Sequence, residues 1–199
     1  MEDITLHIRR DICKQRRDED CHAHHPHIEA CTASLRLAQN DTSIGHIYLN
    51  ILHQAALVRI GPIRMWDECQ IYDERHLGAK LDKVENYLAN ESFPPDRDLQ
   101  IRQATCILFI DEVILHPTMR GQGRGLAAVK KVMDALELPD DTVVLLQAGP
   151  VGDTGDGRLD AGERIARHWK KLGFQEWSET DESWLCLLLR EPEGRVQGG

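Results

Sequence analysis

No apolar run in this chain approaches the ~18 residues that a membrane-crossing helix requires, and nothing in the pattern suggests membrane insertion. A basic excess is also missing. Lys and Arg number 24 against 33 Asp and Glu, a formal charge of −9. Nonspecific nucleic-acid binding needs a basic surface, so neither nucleic acid nor a membrane is expected as a partner. None of the six cysteines stands in a C-x-x-C pair, the commonest half of a structural zinc site or a redox motif. The opening M-E-D-I-T-L-H-I-R-R-D lacks the basic start and apolar segment of a signal peptide. A cytoplasmic location is therefore the expectation, and the cysteines are read as free thiols.

What is present suits a soluble globular protein: 199 residues, 41% hydrophobic and 29% charged, enough for one sizeable core. The chain is read as a single domain, 1–199, with a loose tail over 192–199. Its organising stretch is 105–136. Two nearly continuous apolar runs, 106–110 and 113–115, predict a strand covered on both faces in the middle of a sheet. Pro117 ends it. Gly121, Gly123 and Gly125 follow, and Leu126, Val129, Met133 and Leu136 then recur at helical spacing. Strand, glycine turn and helix N-terminus make an anion site, because the first helical turn carries unpaired N–H groups and the positive end of the macrodipole.

Three cofactor classes compete for this turn. A nucleoside triphosphate loop would close on Lys followed by Ser or Thr, which is absent. Gly123, Gly125 and Ala128 satisfy the dinucleotide fingerprint G-x-G-x-x-A, but about half the chain precedes the turn and too little follows for that fold. The third class rests on two ordered motifs. Arg120-Gly121-Gln122-Gly123-Arg124-Gly125 resembles the R/Q-x-x-G-x-G/A signature of the GCN5-related N-acetyltransferase superfamily. Trp169-Lys170-Lys171-Leu172-Gly173-Phe174 resembles that family's Y-x-K-x-G-F.

The rest of the chain reads as follows. Alternation over 4–10 predicts a first strand, and 29–37 with 42–53 predicts a hairpin around Gln39-Asn40-Asp41-Thr42. Over 13–31, Cys13, Cys21, His22, His24, His25, His27 and Cys31 crowd together. Zinc is one reading of that density. Alternating residues leading into a strand, after an exposed loop, is the other, and no metal ligands are assigned. A helical insertion spans about 64–90, with a break at 90–95 before the central strand. Residues 142–148 predict a second buried strand, parallel to the central one through a crossover helix. A Gly/Asp-rich loop follows over 149–162. Asp160 with Glu163 suits a capping box for the next helix, Ile165, Trp169 and Leu172 form its buried face, and Gly173 suits a left-handed C-cap. Residues 175–178 and 184–189 complete the sheet as a hairpin around 179–182.

The fold class expected is mixed α+β (α/β): a central mixed sheet of about six to seven strands, with a splayed parallel pair and flanking helices, as the family resemblance implies. The resemblance further implies acetyl-CoA as cosubstrate and transfer to a primary amine by direct attack on the thioester. By position, Val113, Ile114 and Leu115 would hold the pantetheine arm and thioester carbonyl, and Arg120, Gly121, Gln122, Gly123, Arg124 and Gly125 the pyrophosphate. The negative charge would steer a cationic acceptor, small molecule or protein, though such a surplus also simply aids solubility. Homodimerisation is left open.

Asp111 and Glu112 interrupt the apolar strand, where a carboxylate is costly unless paired or used. Either suits a general base, and either suits a salt bridge to a neighbour. Family members carry a Glu at the positions of Phe109 or Ile107, so strict alternation points Asp111 to the cleft; a bulge between the two would reverse this. The family's Tyr, which protonates the leaving thiolate, falls at Trp169, whose indole cannot supply a proton at neutral pH. Trp169 would pack against the pantetheine arm, leaving water or His168 as proton source. A non-catalytic acyl-CoA-binding module is the alternative function, which the missing Tyr favours.

Overall fold

The structure, a computed structural model, describes residues 3–12, 28–53, 104–149, 158–176 and 184–189. The cysteines and histidines from Cys13 to His27, the insertion at 64–90, most of the 149–162 loop, the 179–182 turn and the tail at 192–199 lie outside them.

Every described strand belongs to one seven-stranded sheet. The strands are β1 (Ile4–Ile12), β2 (Ile28–Leu37), β3 (Ser43–His53), β4 (Cys106–Leu115), β5 (Val143–Gln147), β6 (Gln175–Glu176) and β7 (Trp184–Leu188). Helix α1 spans Arg124–Ala135 and α2 Arg158–Trp169. The spatial order is β1-β2-β3-β4-β5-β7-β6. All pairings are antiparallel except β4 with β5, which α1 connects as a crossover. The sheet is thus mixed, and the fold α+β, as the sequence predicts.

Hydrophobic alternation sets the two faces. Leu35, Ile47, Leu49, Ile51, Leu108, Ile110, Val144 and Leu146 point to one face, where they pack with Val129, Val132 and Met133 of α1 and Trp169 of α2. Burying each large side chain contributes about 1.5–3 kcal/mol. The other parity of the central strands is buried as well: Leu52, Ile107, Phe109, Val143 and Leu145 are almost fully covered, and Phe109 lies 6.0 Å from the ring of Trp184. This is why 106–110 reads as a continuous apolar run.

Side chains fix the crossover at both ends. The Asp141 carboxylate accepts hydrogen bonds from the backbone N–H of Thr105, at 2.9 Å, and from its hydroxyl, tying the start of β4 to the start of β5. Arg10 donates to the carbonyl of Leu136 at 2.7 Å, satisfying an orphan carbonyl at the C-terminus of α1, and Lys131 donates to the carbonyl of Ile4 at 3.1 Å. The capping-box reading needs correction: α2 begins at Arg158, so Asp160 lies within its first turn and is not its cap. At the other end Gly173 has φ +94° and closes the 3-10 turn Lys170–Leu172 before buried Phe174. That left-handed cap agrees with the sequence.

Candidate active site

β4 and β5 are paired only from Ile107 with Val143 to Ile110 with Leu146. β5 ends at Gln147, whereas β4 runs on to Leu115 beside β3 alone. Beyond Ile110 the β5-facing edge of β4 has no ladder partner among the described residues. β4 changes there from fully to partly buried. The gap is a cleft of about 520 Å³.

The cleft opens where α1 begins. After β4, Pro117–Met119 form one 3-10 turn, and Gly121 and Gly123 follow at φ +75° and +71°. Only glycine takes that region without cost, and Gly123 is the N-cap of α1. The first bond of the helix runs from the Ala127 N–H to the Gly123 carbonyl at 3.1 Å, so the helix's own ladder begins there, one turn in from Gly123. A Cβ placed on Gly121 or Gly123 meets no protein atom within 4 Å, and on Gly125 it meets only ordinary contacts at 3.6 Å and beyond. The backbone favours glycine at 121 and 123, but no packing within the protein demands a small residue at any of the three positions. The three glycines keep open a space over the helix N-terminus, with Arg120 and Arg124 beside it. Arg120 reaches back to donate to the Leu115 carbonyl at 2.9 Å, and Arg124 contacts the Met119 sulfur.

The cleft gathers nearly all the residues singled out in the sequence. Asp111, Glu112, Val113, Ile114 and Leu115 line it from β4. Arg120, Gly121, Gly123, Arg124 and Gly125 line it from the turn, and Trp169 from the end of α2. Gln122 stands in the same turn but is not part of the lining. The opposite wall was missed: Leu146, Gln147 and Gly149 at the end of β5. The signal was available, because a parallel partner strand ending early must form the far side of any splay.

The register within β4 corrects the parity argument. Tyr48 pairs with Glu112, but Leu49 pairs with Ile110, so Asp111 is an extra residue bulged out of the ladder. Strict alternation would put Asp111 on the face of Phe109. With the bulge, that face goes to Glu112, across from Tyr48 and in line with the pair of Asn50 and Phe109. Both carboxylates are half-buried and both line the cleft.

Trp169 is 8% exposed and edge-on to Phe174, with ring centroids 6.2 Å apart, which fixes its indole as a wall. His168, edge-on to Trp169, has its pKa lowered by burial and then by the Lys171 charge. Cys106 is fully buried, and burial first, then Asp141 and Glu29, push its thiol up to about 11, so it is no nucleophile. Cys31 is buried in β2, and among the described residues no cluster of His, Cys, Asp and Glu forms a metal site. No described helix is long and apolar enough to cross a membrane.

No protein-family model and no curated protein matches the chain. Among solved structures, a crystal structure of SsHAT is similar, with 16% sequence identity and a TM-score of 0.42 over 80% of this chain and 73% of that one. An overlap of that size carries no argument about function.

Proposed function

We propose that the protein is an acetyl-CoA-dependent N-acetyltransferase that moves an acetyl group to a primary amine. The observation that carries this reading is the splay of β4 from β5 opening onto a Cβ-free glycine turn at a helix N-terminus. The donor's two chemical parts match the two parts of the cleft. Its pyrophosphate suits the N–H groups and arginines at the start of α1. Its amide-bearing pantetheine arm suits the unpaired edge of Val113, Ile114 and Leu115, a strand edge that can bond a ligand's amides as it would a neighbouring strand's.

Transfer forms a C–N bond at the thioester carbonyl and breaks its C–S bond. The chain's residues hold the carbonyl against backbone N–H groups of β4, exclude water with Trp169 and Leu146, and accept the amine proton on a carboxylate. Glu112 is the better base, since the bulge turns it across the sheet toward Tyr48; Asp111 is the second. The thiolate takes its proton from water, because Trp169 cannot supply one, and burial with the Lys171 charge disfavours the protonated form of His168.

Thiol release from acetyl-CoA, measured against a panel of alkylamines, tests the reading. Amine-dependent release supports it. Acetyl-CoA binding without turnover on any amine would favour a non-catalytic acyl-CoA-binding module, the reading that a Trp at position 169 supports. NAD binding without CoA binding would sink both.

A further inference from the structure

We propose that Tyr48 is the acceptor-binding residue of this site. On the sheet face turned away from α1, its ring and the Glu112 carboxylate together receive a primary alkylammonium group. The inference rests on the acetyltransferase reading and names the acceptor's class.

The bulge at Asp111 makes the pair. By skipping one residue it sets Glu112 directly across from Tyr48, and cross-strand neighbours bring their Cβ atoms to about 4.5–5.5 Å. Ile47 and Leu49 flank Tyr48 and point into the helix-side core. Tyr48 therefore points the other way, and at 39% exposure it is the large hydrophobic side chain left open among the described residues. Its ring is braced. His46 lies 6.4 Å away at 27° between planes, and the His46 Nδ1 is 3.4 Å from the Ser34 hydroxyl on β2. Glu112 lines the cleft, and Tyr48, its partner across the ladder, stands next to that lining without being part of it.

The chemistry selects a cation. Among the described residues no Lys, Arg or His pairs with Glu112, although Asp3, Glu29, Asp41, Asp134 and Glu176 all have such partners. A half-buried carboxylate without a cation, beside an aromatic face, attracts an organic ammonium both by charge and by the ring's quadrupole. An alkylammonium arrives charged, is partly desolvated between ring and carboxylate, and gives its proton to Glu112 as it turns into a nucleophile. The splay lets it approach the thioester carbon from this face while the donor occupies the side of α1. A neutral arylamine or alcohol has no charge for the ring to hold.

The test uses the full chain and two inhibitors of similar size, tetramethylammonium and tert-butanol, during amine acetylation. Tetramethylammonium cannot be acetylated and cannot donate a hydrogen bond, so it reports the ring and carboxylate alone. It is expected to compete with the amine and not with acetyl-CoA, and to inhibit at least fivefold better than tert-butanol. Tyr48→Leu should raise the amine KM about fivefold and lose that preference, with acetyl-CoA affinity unchanged; Tyr48→Phe should keep both near wild type, the size following from a partly exposed cation–π contact. Equal inhibition by the two compounds in wild type overturns the subsite while leaving the transferase reading intact, and needs no variant to fold. Turnover with no amine at all overturns the transferase reading, and the subsite with it.

Discussion

Gly45 on β3 and Ile114 on β4 approach so closely that a Cβ on Gly45 would lie 2.1 Å from the Ile114 carbonyl oxygen. The obstacle is backbone, which cannot swing aside as a flexible side chain does. Gly45→Ala is expected to lower stability by about 3 kcal/mol, the upper part of the range for overpacking, as read from urea unfolding. It should also weaken acetyl-CoA binding, because relief moves 113–115, the edge proposed to receive the pantetheine arm. A stability change below about 0.5 kcal/mol would mean the strands part there at almost no cost.

A bulky residue at Gly123 should behave in the opposite way. No protein atom lies within 4 Å of its Cβ position, so Gly123→Val costs chiefly the left-handed backbone strain, about 1–2 kcal/mol. Its side chain would fill the space proposed for the pyrophosphate. Calorimetry should find a folded protein that no longer binds CoA. Arg120→Ala should weaken binding less, since that exposed guanidinium only supplements the backbone cradle. Unchanged CoA affinity in Gly123→Val would put the phosphate site elsewhere.

The two carboxylates make an ordered prediction. Glu112→Gln should lower turnover by ~10²-fold or more, the usual size of a general-base contribution, with acetyl-CoA affinity retained. Asp111→Asn, at the bulge, should lose less. The deficit of Glu112→Gln should shrink as pH rises toward the acceptor's own pKa, because neutral amine then forms without help. If Asp111→Asn proves the more damaging, the base is the bulged residue itself.

His168 offers a check by titration. Its pKa is lowered from 6.5 by burial and by Lys171. The folded state therefore favours the neutral ring: its contribution to stability is present above the unfolded value and is lost as pH falls through the folded one. NMR should place the His168 midpoint below 6.5, and Lys171→Gln should raise it. A midpoint unmoved by Lys171→Gln would leave burial as the sole cause.

Much of the site was legible because its signals are local. The apolar runs on either side of Asp111 and Glu112 specify a central strand, since only a strand covered on both faces tolerates them. Gly121, Gly123 and Gly125 announced a turn before a helix, Gly173 announced a helix end, and the spacing of Val129 and Met133 announced the packed face of α1. The cap of α2 was less legible. Asp160 carries an N-cap residue type, but the helix starts at Arg158, and residue type alone does not exclude a start one half-turn earlier.

By itself the sequence determined the strands, the glycine turn, the crossover helix and the choice of the mixed sheet, because side-chain period and backbone permissiveness act over a few residues. Which way Asp111 and Glu112 face was decided only by tertiary structure. A bulge is a mismatch between two strands, here between Leu49 and Tyr48 on one side and Ile110 and Glu112 on the other, and neither strand carries that mismatch alone. The same holds for Tyr48. In the sequence it is one exposed position of an alternating strand, and it becomes the neighbour of a cleft carboxylate only when β3 lies against β4, dozens of residues away along the chain.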